Sequence, residues 1–288
     1  MNSTIKIAVQ LTAQGGDFAT LHAQWLKAEE LGADALYTSD HLNAIVPDTE
    51  FMTHSNDGSH SQGSGLNVFE GSTIQAAMAA TTRRPEIGCV VMSSSYRNPN
   101  MTAYIAGTID QISGGRFVLG LGTGFFAPDF EEFGYEYGTQ RSRSEALARD
   151  VPVILERLGK LRPPPVRRVP LMIASMGPTI GLPLVARYAD IWHAYGSYDK
   201  LASKWDTLQR ICSEQGRDAS EIEFATYYMP WILTGPRDTL DDYAALGCRQ
   251  IIAVADGPDW DLGPLREALE WRDARERSAG SARSGAQR

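Results

Sequence analysis

The sequence predicts a single (β/α)8 barrel. Short β-rich runs alternate with longer helical runs along most of the chain, which argues for parallel βα units. The alternation repeats eight times, the number that closes a barrel of about 250 residues. An open doubly wound sheet would favour a phosphate-binding turn after the first strand, and "TAQGGD" matches that poorly.

"IKIAVQL" reads as the first strand, and Asp17 can cap a helix carrying Phe18, Leu21, Trp25 and Leu31 near one face. Gly32 ends that helix and "ADALYT" is the second strand. Residues 41 to about 69 break the rhythm with a Gly/Ser/Asn-rich loop, long enough to suggest a functional or mobile segment. "EGSTIQAAMAATTRR" is helical, "EIGCVVMS" is the third strand, and "PNMTAYIAGTIDQIS" is a helix ending at Gly114-Gly115. "RFVLGLGTG" is the fourth strand and its turn. A second loop over about 125–140 follows, then a helix from about Arg141 to Leu158.

"LRPPPVRRVP" is an extended connector to the fifth strand, "LMIAS". The helix in "PTIGLPLVARYA" has an irregular first turn because of Gly181 and Pro183. "DIWHAY", "IEFATYYMPWIL" and "RQIIAVA" are the sixth to eighth strands, each followed by a helix. The domain is expected to span 1–277, with 278–288 a disordered small-polar tail.

Composition narrows the function. The chain has 288 residues, 43% hydrophobic and 22% charged, as in soluble globular proteins. A net charge of −8 argues against nucleic acid or an anionic membrane surface as partner, while leaving room for a local basic pocket. Cys89, Cys212 and Cys248 have no metal or redox spacing and suit a reducing cytoplasm. Neither a signal peptide nor a membrane span is expected.

In a barrel of this type the site lies at the C-terminal ends of the strands. The residues there include Gln10, Ser39-Asp40-His41, Ser93, Gly122 to Gly124, Ser175 and His193. His41 with Asp40 is a candidate proton-transfer pair, although neighbours on a strand face opposite ways. "GLGTGFF" has the wrong spacing for a dinucleotide fingerprint; its glycines could admit a phosphate or simply make a tight turn. Ser175 and Gly177-Pro178 before a helix could bind an anion or be an ordinary cap. Arg97 is read as bracing the rim. His54 and His60 lack acidic partners at a helical spacing, so no metal site is expected.

"EELGADALYTSDHL", "YRNPNMTAYIAGTIDQISGGRFVLGLGTGFF" and "IASMGP…VARYADIWHAYG" together resemble the bacterial luciferase-like monooxygenases, and within them the branch using the deazaflavin coenzyme F420. The resemblance implies a (β/α)8 barrel, a homodimer, and an isoalloxazine-like ring in the barrel mouth. It places His41 near the reactive ring as the catalytic residue and Asp40 against the cofactor. It also implies a non-proline cis peptide behind the ring at Val90-Val91, and cofactor contacts from Ser93, Gly122, Thr123, Gly124, Ser175, Met176, Gly177 and Pro178.

The sugar-phosphate dehydrogenases of the family carry a Glu where this chain has Phe125, and a Trp where it has Ile45. With Phe126, Trp192, His193 and Trp231 these residues suggest an apolar pocket for a small hydrophobic carbonyl, enone or imine. The expected function is hydride transfer between the deazaflavin C5 and such a substrate. The alternatives are an FMN-dependent monooxygenase using reduced flavin and oxygen, a non-catalytic deazaflavin-binding barrel, and a metal-dependent hydrolase, the last weakened by only five histidines.

Overall fold

A computed structural model describes residues 4–46, 61–62, 65–230 and 235–285. Its elements in order are β1 (Lys6–Leu11), α1 (Phe18–Leu31), β2 (Ala35–Thr38), β3 (Ile45–Val46), β4 (Ser61–Gln62), α2 (Gly71–Thr81), β5 (Glu86–Cys89), β6 (Met92–Ser93), α3 (Pro99–Ser113) and β7 (Phe117–Gly122). There follow α4 (Ala127–Phe133), α5 (Gln140–Leu158), β8 (Leu171–Ala174), α6 (Gly181–Tyr188), β9 (Ile191–His193), α7 (Tyr198–Glu214), β10 (Glu223–Tyr228), α8 (Leu240–Leu246), β11 (Gln250–Ala255) and α9 (Gly263–Gly285).

The main sheet runs β5-β2-β1-β11-β10-β9-β8-β7-β6, and a further pairing of β5 with β7 closes it. Every pairing in it is parallel. β5 and β6 are two pieces of one barrel strand, broken at a cis Val90-Val91 peptide. The result is the closed eight-stranded barrel expected. β3 and β4 form a small antiparallel hairpin in the excursion after β2.

Alternation along each strand sorts the core into two layers. Ala8, Tyr37, Val118, Met172, Ala225 and Ile252 pack inside the barrel. Val9, Leu36, Leu119, Ile173, Phe224 and Ile251 pack outward in the layer that includes the helices. Local signals set the boundaries: Asp17 accepts a 2.9 Å hydrogen bond from the Thr20 N–H at the start of α1, and Gly32, at φ 99°, ends it.

Two expectations change. The loop over 125–140 contains α4: Pro128 suits its first turn, and Gly134 closes it in the left-handed region. The last helix continues to Gly285 into the stretch expected to be disordered. Ala, Arg and Ser extend an existing helix at little cost because no new nucleus is needed.

Candidate active site

His41 lies three residues beyond β2, at the C-terminal mouth of the barrel. Its Nδ1 is 2.9 Å from Asp129 Oδ2. The same oxygen accepts from the Tyr96 hydroxyl at 2.9 Å, while Asp129 Oδ1 accepts from the Leu42 N–H at 3.2 Å and the Asn43 N–H at 2.7 Å. An ionised carboxylate only accepts, so Nδ1 carries a proton, and in the neutral imidazole Nε2 keeps the lone pair. Asp129 is fully buried, whereas the His41 side chain is 22% exposed. Edge-on contacts at 5.3 and 6.1 Å from Phe125 and Phe126 fix the imidazole laterally. Phe126 is buried behind the ring, and Phe125 remains 38% exposed on the rim.

Asp40 points elsewhere. Its oxygens accept from the two terminal nitrogens of Arg97, both at 2.7 Å, and Oδ2 also accepts from the Ser93 N–H at 2.9 Å. Burial raises the Asp40 carboxyl, and the Arg97 guanidinium opposes that shift. Arg97 also binds Glu70, the N-cap of α2. Burial would raise Glu70, but donors from Thr73, Arg97 and Ser72 outweigh it and hold the carboxyl at about 2. Asp40, expected against a cofactor, is thus occupied in joining β2, α2 and the stretch after β6. Arg97 does brace the rim, through the carboxylates of Asp40 and Glu70.

The glycines of β7 serve the broken strand beside them. A Cβ on Gly120 would lie 2.0 Å from the Cys89 carbonyl oxygen, and one on Gly122 2.5 Å from Val91 Cγ2. Val91 is half-buried. Gly124, at φ 68°, is wedged against Ser93 and Phe130, and its carbonyl accepts from Arg143 Nε at 3.1 Å. The Thr123 hydroxyl donates to the same carbonyl at 3.2 Å.

After β8, the Ser175 carbonyl accepts from Trp192 Nε1 at 2.8 Å and its hydroxyl packs against Gly181. Met176 packs on the core, and Gly177 and Pro178 are exposed ahead of α6.

Trp192 corrects the sequence reading. It is fully buried and stacks at 5.6 Å on Trp205 of α7, outside the barrel. β9 alternates, so Ile191 and His193 face inward and Trp192 cannot line the mouth. His193 is 2% exposed, and its ring centroid is 4.5 Å from that of Tyr227 and 6.2 Å from that of Tyr195. The Tyr227 hydroxyl donates to the Val90 carbonyl at 3.1 Å and meets the Gln10 side chain. Ile45 is half-buried, its backbone held by the Gln14 amide. Trp231 lies outside the described residues.

His41 and His193 are brought to opposite walls, since β9 stands four strands from β2 around the barrel. Asp129 and Tyr96 were missed by sequence reasoning; Asp129 sits 88 positions from His41. Asp256, just past β11, was also missed, and burial raises its carboxyl. Among the described residues no His, Cys, Asp and Glu group could hold a metal ion. At the mouth Val91, Ala174 and Tyr227 are half-buried, and the buried His193 Nε2 has no partner among the described residues.

The family model for luciferase-like monooxygenases matches residues 1–287. A 4-hydroxyprotoasukamycin monooxygenase of Streptomyces nodosus subsp. asukaensis is 25% identical over 76% of this chain and 60% of its own length. A pyrimidine monooxygenase, RutA, of Escherichia coli is 26% identical over 90% of this chain and 68% of its own. The chain therefore spans about two thirds or less of these relatives. Among solved structures, an F420-dependent secondary alcohol dehydrogenase in complex with an F420-acetone adduct superposes with a TM-score of 0.71 over 92% of this chain and 98% of that one, at 15% identity, a likeness of fold.

Proposed function

Because the chain belongs to the luciferase-like monooxygenase family, a family of oxidoreductases, we propose that it uses coenzyme F420 to move a hydride between the deazaflavin C5 and a small, hydrophobic organic substrate. The observation that carries this reading is the His41–Asp129–Tyr96 relay opening onto an apolar mouth. The half-buried faces of Val91, Ala174 and Tyr227 fit a planar ring, and the residues around Ser175 to Pro178 and Gly122 to Gly124 remain the proposed contacts for its side chain. The deazaflavin, when bound, would supply the hydride chemistry.

The chain's own part is proton handling. Asp129 keeps Nδ1 protonated, so His41 Nε2 takes the proton released as an alcohol becomes a carbonyl, or returns it in the reverse direction. A positioned acid–base of this kind contributes typically about 10²- to 10⁴-fold. Phe125 and Phe126 shield that exchange from water on one side. Asp40 and Arg97 hold the strand end from which His41 projects.

Both relatives are named monooxygenases, which favours oxygenation as a second reading; the cofactor proposed for it is FMN on the same scaffold. Titration of the purified protein with F420 and with FMN separates them. Micromolar binding of FMN with none of F420 would overturn the first. His41→Ala should lower turnover far more than cofactor affinity; unchanged turnover would remove the role given to His41.

A homodimer is part of the proposal. Met101, Tyr104 and Ile112 are 57, 53 and 45% exposed on one face of α3. Light scattering of the eluted protein tests it. No described helix is long and apolar enough to cross a membrane.

A further inference from the structure

We infer that His193 holds an uncharged carbonyl or imide group of the bound ligand from the wall opposite His41, an inference that rests on the ligand-binding reading above. Its ring faces into the barrel, between Tyr227 and Tyr195, and is 2% exposed. Nε2 is buried and has no hydrogen-bond partner among the described residues. A buried polar atom left so is destabilising, and a ligand that supplies its partner recovers that loss.

The charge of the wall selects the partner. Burial pushes the His193 imidazole down to about 3, so it is neutral at working pH, with one N–H and one lone pair. Its described ring neighbours are tyrosines, and no described carboxylate or cation pairs with it. A carboxylate or phosphate drawn here would lose its hydration without gaining a counter-charge, whereas a neutral carbonyl loses little. Two sources share that chemistry: the imide edge of a flavin or deazaflavin ring, and the carbonyl of the substrate.

The test uses the full-length protein with ¹⁵N-labelled histidine, His193 being assigned through His193→Asn. The probes are lumichrome, which carries the imide edge without a phosphate chain, acetophenone as a neutral ketone, and benzoate as its anionic counterpart. The His193 ring nitrogens should shift with a neutral probe and stay in place with benzoate. His193→Phe should weaken that probe about tenfold. A response to lumichrome assigns the group to the cofactor ring, and a response to acetophenone assigns it to the substrate. The inference is overturned if neither neutral probe moves the resonance, if benzoate moves it as much, or if a folded His193→Phe binds both neutral probes as tightly. The resonance shift alone decides should that variant not fold. Failure of both F420 and FMN to bind would instead overturn the enzyme reading and leave these readouts standing.

Discussion

Replacing Asp129 by asparagine changes one atom of the relay and reverses its direction. The new amide would still offer its oxygen to the Leu42 and Asn43 N–H groups, which Asp129 Oδ1 now holds at 3.2 and 2.7 Å. In place of Oδ2 it would present an NH₂ to His41 and Tyr96, both at 2.9 Å. Tyr96 can answer by turning its hydroxyl. His41 can answer only by moving its proton to Nε2, the nitrogen needed as a base. Charge-assisted bonds contribute about 1.5–3 kcal/mol each. Because both partners can re-pair, the expected stability loss is smaller than two such bonds, roughly 1–3 kcal/mol. For a chain of this size that lowers Tm by roughly 2–4 °C per kcal/mol. The larger effect is on the proton: turnover should fall about 10²- to 10⁴-fold. The ¹⁵N spectrum of labelled histidine reads the tautomer directly and needs no substrate. If His41 in Asp129→Asn keeps a protonated Nδ1, or turnover stays within about threefold of the parent, the relay does not work as described.

Arg97→Met leaves the buried Asp40 carboxylate without its counter-ion and should cost about 3–5 kcal/mol in urea unfolding; Arg97→Met with Asp40→Asn should recover much of it. His193 gives a pH dependence. Its folded value of about 3 lies below the ordinary 6.5, so the unfolded chain binds the extra proton and stability falls as pH drops from about 6.5 towards 3. Between pH 7 and 5 that is roughly 2 kcal/mol, which His193→Phe should remove from the pH profile of the urea midpoint. Gly120→Ala would set a Cβ 2.0 Å from the backbone oxygen of Cys89 and should sharply reduce the yield of folded protein; an unaltered melting curve would show that the broken strand can yield.

The barrel was legible because its signals are local. Asp17 and Gly32 bracket one helix, and eight repeats of the same rhythm leave few closed arrangements. The cis Val90-Val91 position came from family resemblance, and the structure has it there. The relay was not legible in the same way. Asp129 looks like one acid in an acidic loop, and only the path of α4 brings it to His41. The ion pair of Asp40 was not legible either, because its partner, Arg97, lies 57 positions away, where no spacing rule reaches. Trp192 is different: alternation along "IWH" would have turned it away from the mouth, had that rule been applied to both neighbours.

Arg97 holds Asp40 and Glu70 together, and those two residues are the ends of the excursion that leaves the barrel after β2. One guanidinium therefore fastens both feet of the loop to the rim. Once the feet are joined, the chain between them can change length at little thermodynamic cost, about 0.6 kcal/mol for each doubling. A change of length there should therefore cost the barrel little stability, provided the feet and the Leu42 and Asn43 contacts to Asp129 are kept. Exchange of residues 47–60 for a stretch of different length, with Asp40, Asn43, Ile45, Asn67, Glu70 and Arg97 retained, should leave the melting temperature close to the parent's.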